Sequence, residues 1–401
     1  MPGFIIFMIL SAGCYSTIYL KKRDVLHPLG LMVSIWFMMA GVSCLQLGRY
    51  QSPWCLETVM IVFFTGIICY ILAVPGKGIQ NDLLETCKDP YVNKIFLILS
   101  RVIFVICLSV IVYHLYKNSF FSAGHTKMLD RKTGNAEYIQ MQGRLANYIS
   151  SYLPYCALNS VFELVYSPKA KRRWLYNLFV MVFSVWYIWG VSYSRGTLLI
   201  VFLGSLYIIH SKYRISLIRV ILIGIILITA MAVLMRLRIG ESSGVYSGAT
   251  NNALFNSVYN YIVYCFQNFD SIVKNGSQHS IFLHVWQSVY KLFGLYDESM
   301  LIHYQTLFYN AETYLAPFYQ DLDLIGVIIY PALIAIVLSI FYDASKQNIY
   351  YILILANFQK AIYTAFFGNY FLTTLSVMFP YILTFAICLI SYRWKWKIVR
   401  K

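Results

Sequence analysis

The chain has 401 residues, of which 59% are apolar and 12% charged, whereas an ordinary soluble domain is about a quarter charged. That balance excludes a soluble globular domain. Lys and Arg outnumber Asp and Glu by 32 to 16, a formal net charge of +16. In so apolar a chain the basic excess belongs to topology-setting loops, and no basic-aromatic module for nucleic acid is legible.

Apolar runs of roughly 20 residues, each long enough to cross a hydrocarbon core about 30 Å thick, recur along the whole length. They predict an all-α polytopic membrane protein with about eleven transmembrane helices. In chain order the spans fall near residues 3–20, 29–47, 57–74, 95–115, 146–166, 174–193, 197–211, 216–235, 325–342, 349–367 and 373–391. The first has no basic segment ahead of it and no cleavage site, and so reads as a retained span rather than a signal peptide. The fifth is the weakest, because Asn147, Asn159 and Glu163 interrupt it. Lys21-Lys22-Arg23, the basic cluster from Lys169 to Arg173, Lys212 with Arg214, and the tail from Arg393 to Lys401 all fall on one side of an eleven-span arrangement. Basic residues in short loops stay in the cytoplasm, which places the C-terminus inside and the N-terminus outside.

Three pieces then lie on the opposite face: a loop near 116–145, a four-residue turn at Tyr193-Ser194-Arg195-Gly196, and residues 236–324. The chain is thus expected to divide into an N-terminal bundle of about eight helices over 1–235, a large extracytoplasmic loop over 236–324, and C-terminal helices with a basic cytoplasmic tail over 325–401. The large loop is too long and too aromatic for a linker. Its run Leu254, Phe255, Val258, Tyr259, Tyr261, Ile262, Tyr264 and Phe266 predicts amphipathic helix lying at the membrane interface. No repeat of fixed period relates the halves, which argues against an inverted-repeat transporter. The nine cysteines have no metal spacing, and Cys14, Cys44, Cys69, Cys107 and Cys388 sit in apolar runs as small hydrophobes. Neither a metal nor a cofactor is implied, and nucleotide-binding and HExxH motifs are absent.

Arg195 is the sharpest single residue. A guanidinium in a short turn between two apolar spans is costly without a partner, and its planar fork suits a diphosphate approaching beside Gly196. The competing reading is an arginine that snorkels to headgroups or pairs with an acid of the long loop. Arg236 and Arg238 stand at the outer end of the eighth span, against the positive-inside bias, where lipid phosphates or anionic headgroups are the natural partners. The segment from Tyr309 to Gly326 gathers Asn310, Glu312, Thr313, Tyr314, Asp321 and Asp323 at the outer interface. Carboxylates can take a proton from a sugar hydroxyl, and aromatic faces and amides hold sugar rings, while an interfacial aromatic belt with solvated acids has the same composition. His279, His284 and His303 are candidate bases without metal spacing, for which surface or packing roles compete. Glu163 and Lys360 are ionisable residues in apolar surroundings, and so either pair internally or line a wet cavity. Arg101 reads as a residue that snorkels to the cytoplasmic side.

Ten or more spans, the Ser194-Arg195-Gly196 turn, the arginines at 236 and 238, the large outer loop, and Asn310-x-x-Thr313 followed by Asp321 and Gly326 together resemble the bacterial O-antigen and capsule repeat-unit polymerases, the Wzy family. The likeness is architectural over most of the chain and confined in sequence to those stretches. Where the family reads D-F-G-x-x-G, this chain has Asp321-Leu322-Asp323 and ends on Gly326. Asp323 in place of the central glycine sets the usual turn conformation in question, because Asp tolerates positive φ less well than Gly. The resemblance implies a GT-C-like glycosyltransferase at the outer face of the bacterial inner membrane, moving a glycan from one undecaprenyl diphosphate onto a repeat unit carried by another. It implies catalytic roles for Arg195, Glu312 and Asp321, and substrate or diphosphate binding by Arg195, Arg236, Arg238, Asn310, Thr313 and Tyr314. The implied partners are the two lipid-linked oligosaccharides, the bilayer, a chain-length regulator of the Wzz type and a flippase. An O-antigen ligase shares the outer arginines and the large loop, and a flippase or transporter is the rival from another class.

Overall fold

The structure is a computed structural model that describes residues 2–48, 51–75, 91–117, 144–167, 170–188, 195–226, 229, 253–280, 282–295, 311–372 and 375–399. Among these residues every regular element is helical, as a chain in hydrocarbon requires when each segment must satisfy its own backbone groups. The helices are α1 (Pro2–Lys22), α2 (Pro28–Ser43), α3 (Leu56–Ala73), α4 (Lys94–Lys117), α5 (Arg144–Ser151), α6 (Leu153–Tyr166), α7 (Trp174–Trp186), α8 (Arg195–Tyr213), α9 (Leu217–Ile226), α10 (Ala253–Asn275), α11 (Gln287–Leu292), α12 (Ala316–Ser345), α13 (Tyr350–Tyr363) and α14 (Leu375–Val399). Five of them, α1, α3, α4, α8 and α12, are long and apolar enough to cross a membrane, and α2, α7, α9 and α14 carry shorter apolar stretches. Their outer faces are apolar: Ile5, Ile6 and Ile9 of α1, Val102, Val105 and Ile106 of α4, and Ile325, Ile328, Ile329 and Leu333 of α12 are all exposed. Such stripes belong against lipid, so the chain is an all-helical, multi-pass membrane protein.

The described chain divides into two compact units. The first comprises Met1–Asn81, Ile215–Asp343 and Ala361–Thr374. Here α1 and α2 pair, with Ser11 Oγ donating to the Ser34 carbonyl at 2.8 Å. Gly66 of α3 seats the ring of Phe37, for a Cβ at position 66 would lie 2.3 Å from Phe37 Cζ. Pro331 inside α12 has no N–H for the Val327 carbonyl, and Thr65 Oγ1 donates to that oxygen at 3.3 Å instead.

The amphipathic helix expected at the interface is present as α10, and its apolar face is covered by protein. Val263, Cys265, Phe266, Phe269 and Ile272 are buried, and α10 packs on α2 and α3. Its polar side chains hold the α2–α3 connection: Leu47 N–H donates to Tyr259 Oη at 2.9 Å, Ser52 N–H to Gln267 Oε1 at 3.1 Å, and Cys55 N–H to Asp270 Oδ1 at 2.8 Å. Connecting backbone with unmet donors is thereby satisfied without regular structure of its own.

The second unit comprises Asp82–Arg214, Ala344–Lys360 and Leu375–Lys401. The run expected as a fifth span is two helices, α5 and α6, broken at Tyr152 with Pro154 in the first turn of α6, where a missing N–H costs nothing. Nearly every side chain of α6 is buried. Its two polar interruptions are inside as well: Glu163 lies 2.9 Å from Arg173 Nε and 3.8 Å from Arg101 Nη2. Glu163 therefore takes the internal-pair role. Arg101 turns to that carboxylate and to the Tyr176 ring, 5.1 Å away, rather than only to the headgroups. Gly204 lets α8 meet α6 and α13, since a Cβ there would lie 2.8 Å from Leu158 and 2.9 Å from the Ala356 carbonyl.

Candidate functional site

In the second unit Arg195 is the first residue of α8. Gly196 follows it, and a Cβ at that position would lie 3.2 Å from Lys360 Nζ. The lysine ammonium of α13 thus rests on the backbone of the first turn of α8. A helix N-terminus carries partial positive charge and unpaired N–H groups. The lysine ammonium beside these N–H groups makes this end of α8 suited to an anion with several oxygens. Lys360, expected either to pair internally or to line a cavity, is a neighbour of Gly196 in the fold, a placement with no trace in linear spacing.

The remaining described candidates belong to the first unit. Glu312 is half-buried in the turn that leads into α12, and this burial pushes its carboxyl up from 4.5 to about 7. Asn268 of α10 anchors the turn by donating from Nδ2 to the Ala311 carbonyl at 2.8 Å. Thr313 is fully buried, its carbonyl accepting the Ala316 N–H at 3.1 Å as α12 begins. Its Oγ1 has no hydrogen-bond partner among the described residues. Tyr314 donates its N–H to the Ala365 carbonyl at 2.9 Å, and its ring stands edge-on to Trp36 at 5.2 Å with Phe318 and Phe371 beside it. At 1% exposure Tyr314 has no face open to a sugar; it packs the core under the turn. Arg236, Arg238 and Asn310 lie outside the described residues, as do Ser194 and His303.

Asp321 is buried and fully engaged. Its Oδ1 accepts from Ser280 Oγ, His284 N–H and His284 Nδ1, each at 2.9 Å, and its Oδ2 accepts from Val285 N–H at 2.9 Å. Four donors leave the carboxylate little capacity to take a substrate proton. What it does instead is fasten the 280–285 segment to the start of α12. His284 Nε2 is buried and has no hydrogen-bond partner among the described residues. His284 and Asp321 are 37 positions apart, so the pairing was not visible in the sequence, where His284 was one of three undistinguished loop histidines.

The turn after Asp321 takes the conformation at issue. Leu322 and Asp323 depart from helical geometry within α12, with Asp323 at φ 54° and ψ −141°. That is a region a glycine enters freely and an L side chain enters under strain. Three residues on, Gly326 lies so close to the preceding turn that a Cβ would be 2.0 Å from the Phe318 carbonyl oxygen. Asp323 Oδ1 is buried without a hydrogen-bond partner among the described residues. Among the described residues no group of three or more His, Cys, Asp or Glu is arranged to hold a metal ion. Protein-family models, curated proteins and solved structures were compared with the chain, and none of them matches it.

Proposed function

We propose that this protein is a membrane-embedded glycosyltransferase of the O-antigen and capsule repeat-unit polymerase type, with about eleven spans in a GT-C-like arrangement. In this reading it sits in a bacterial inner membrane with its N-terminus outside and its C-terminus in the cytoplasm, and it works at the outer face. It lengthens a polysaccharide by moving the growing glycan from one undecaprenyl diphosphate onto the repeat unit held by a second, with the chain-length regulator and flippase of that system as partners. The observation that carries the reading is the cationic opening of α8, where Arg195 begins the helix and Lys360 Nζ rests against Gly196.

The chemistry follows from that charge. Breaking the anomeric C–O bond leaves a negative diphosphate, and preorganised cations with helix N–H groups lower the barrier by stabilising the charge as it forms. Arg236, Arg238 and Asn310 are assigned the same substrate on the resemblance. The acceptor hydroxyl must lose a proton, and Glu312 or a histidine of the 236–324 loop has the chemistry to accept it. A further support is the positive φ of Asp323, where the family carries glycine.

The test is the polysaccharide ladder made by cells carrying the wild type, a deletion, or Arg195→Ala, each variant at matched membrane expression. Single repeat units only, in both the deletion and the variant, support polymerisation with Arg195 in its site. Polymer that stays on undecaprenyl diphosphate and never reaches the lipid core identifies a ligase, and unchanged polymer in the deletion strain rejects the reading.

A further inference from the structure

We infer that the second unit binds the phosphate of an anionic phospholipid where α4 and α7 begin and α6 ends, a site independent of the glycosyl-transfer chemistry above. Arg101 and Arg173 hold the phosphate, and an acyl chain lies along the seam between α4 and α7. Three segments bring charge to this place. Arg101 stands about two turns into α4, Arg173 closes the 3-10 turn Ala170–Arg173 ahead of α7, and Glu163 lies in the last turn of α6. The carboxylate is 2% exposed, whereas the side chains of Arg101 and Arg173 are 38% and 24% exposed. One carboxylate cannot balance two guanidinium groups, so a positive charge is left over at the surface. Arg172, exposed in the same turn, adds to it. Lys212 is engaged on the end of α6, its Nζ donating to the Val165 carbonyl.

The guanidinium groups keep donors for a further partner. Arg101 Nη2 is 3.8 Å from Glu163 Oε1, beyond hydrogen-bond range, and its Cζ lies 5.1 Å from the centre of the Tyr176 ring. Arg173 Nη2 donates to Ser167 Oγ at 2.7 Å. A hydroxyl that accepts from an arginine still has its own hydrogen to give, and Ser167 is only half-buried at the end of α6. Two planar forks and a hydroxyl beside one carboxylate match the oxygens of a phosphate, which an arginine binds through paired N–H groups.

What the phosphate is attached to follows from the surface that continues from it. Both α4 and α7 pack on α6, and they meet one another at the ring of Phe104, 6.1 Å from the rings of Tyr176 and Phe179 and 6.2 Å from that of Phe183. Val102 and Val105 of α4 and Leu175, Phe179 and Val182 of α7 flank this seam and are exposed. An acyl chain covers such a surface, and a free phosphate does not. Trp174, exposed at the start of α7, is of the residue type that sits at headgroup level. A zwitterionic lipid presents the same phosphate but carries its own cation, and so leaves the excess charge unbalanced. Basic pockets between spanning helices accordingly take anionic heads.

The test uses the purified full-length protein in a neutral detergent. Phosphatidylglycerol and phosphatidylcholine with the same acyl chains are titrated in, and bound lipid is counted by native mass spectrometry. One uncompensated cation at a lipid surface corresponds to about fivefold in affinity, so the first lipid bound is expected to be phosphatidylglycerol, by at least that factor. The preference should disappear in Arg101→Gln, where Arg173 and Glu163 cancel, and persist in Arg219→Gln, which removes an exposed cation of the first unit. Inorganic phosphate in large excess should leave the lipid bound. Equal affinity for the two lipids in the wild type, or a preference unchanged by Arg101→Gln, overturns the site. Displacement by inorganic phosphate would show a site for the free ion and overturn the lipid assignment. The wild-type comparison decides by itself if Arg101→Gln does not fold.

Discussion

Asp323 offers a measurement of strain that separates backbone from side chain. An L residue at φ 54°, ψ −141° costs about 1–3 kcal/mol relative to glycine. Glycine in turn carries about 0.5–1 kcal/mol more conformational entropy in the unfolded chain. Asp323→Gly and Asp323→Ala both delete the carboxylate, with its buried Oδ1 and its proximity to the Tyr319 hydroxyl. Their difference therefore isolates the Cβ. Glycine should be the more stable of the two by about 1 kcal/mol, the middle of the net range, a difference of roughly 2 °C in the midpoint of thermal unfolding. The assay is unfolding of the purified protein in one detergent, followed by intrinsic fluorescence, which its tryptophans allow. Activity in the polysaccharide ladder should be kept by Asp323→Gly, since the turn that carries Asp321 is unchanged. Equal stability of the two variants, or an alanine variant more stable than glycine, would show that position 323 is unstrained and would remove the turn as support for the family resemblance.

Gly326→Ala is expected to prevent accumulation of folded protein, because its Cβ would meet backbone at 2.0 Å; the yield of monodisperse protein on gel filtration checks this. Gly196→Ala meets only the flexible end of Lys360 at 3.2 Å, so the protein should fold normally and make less polymer as the ammonium is displaced from the opening of α8. Glu312 is raised from 4.5 to about 7 by burial, so the folded state holds its proton over a range in which the unfolded chain has lost it. The stability this gives is complete below 4.5 and is lost as pH rises through about 7. Glu312→Gln should flatten that part of the curve of unfolding midpoint against pH, and an unchanged slope would refute the assignment. Among the described residues, removing Arg173 leaves the buried Glu163 with the longer contact to Arg101 alone; Arg173→Ala should cost about 2–3 kcal/mol, reduced from the fully buried case by the partial exposure of Arg173, and a midpoint within error of wild type would count against it.

The helical class and the membrane setting were legible in composition alone, because hydrocarbon leaves a spanning chain few ways to satisfy its backbone and demands apolar side chains to do it. The amphipathic run from Leu254 to Phe266 likewise announced a helix, since spacing near 3.6 residues is a local property. What covers that helix is not local. Interface lipid and a protein core accept the same apolar stripe, and only the fold places α2 and α3 against it. The segment 146–166 reads as one span and folds as two helices for a similar reason: its apolar content is that of a span, while Pro154 and the buried Glu163–Arg173 pair suit a helix enclosed by protein. Arg195 and the Asp321-to-Gly326 segment stood out in sequence by residue type, yet Lys360, which rests on Gly196, and His284, which meets Asp321, are remote in the chain. Distances between such residues follow from how helices pack, which depends on close approaches like that at Gly204 and on carboxylates that bridge segments. Sequence by itself determined where the chain meets lipid and which polar residues were expensive there; the tertiary structure alone decided which of them are neutralised, as Glu163 is, and which keep a buried atom with no hydrogen-bond partner among the described residues, as His284 does.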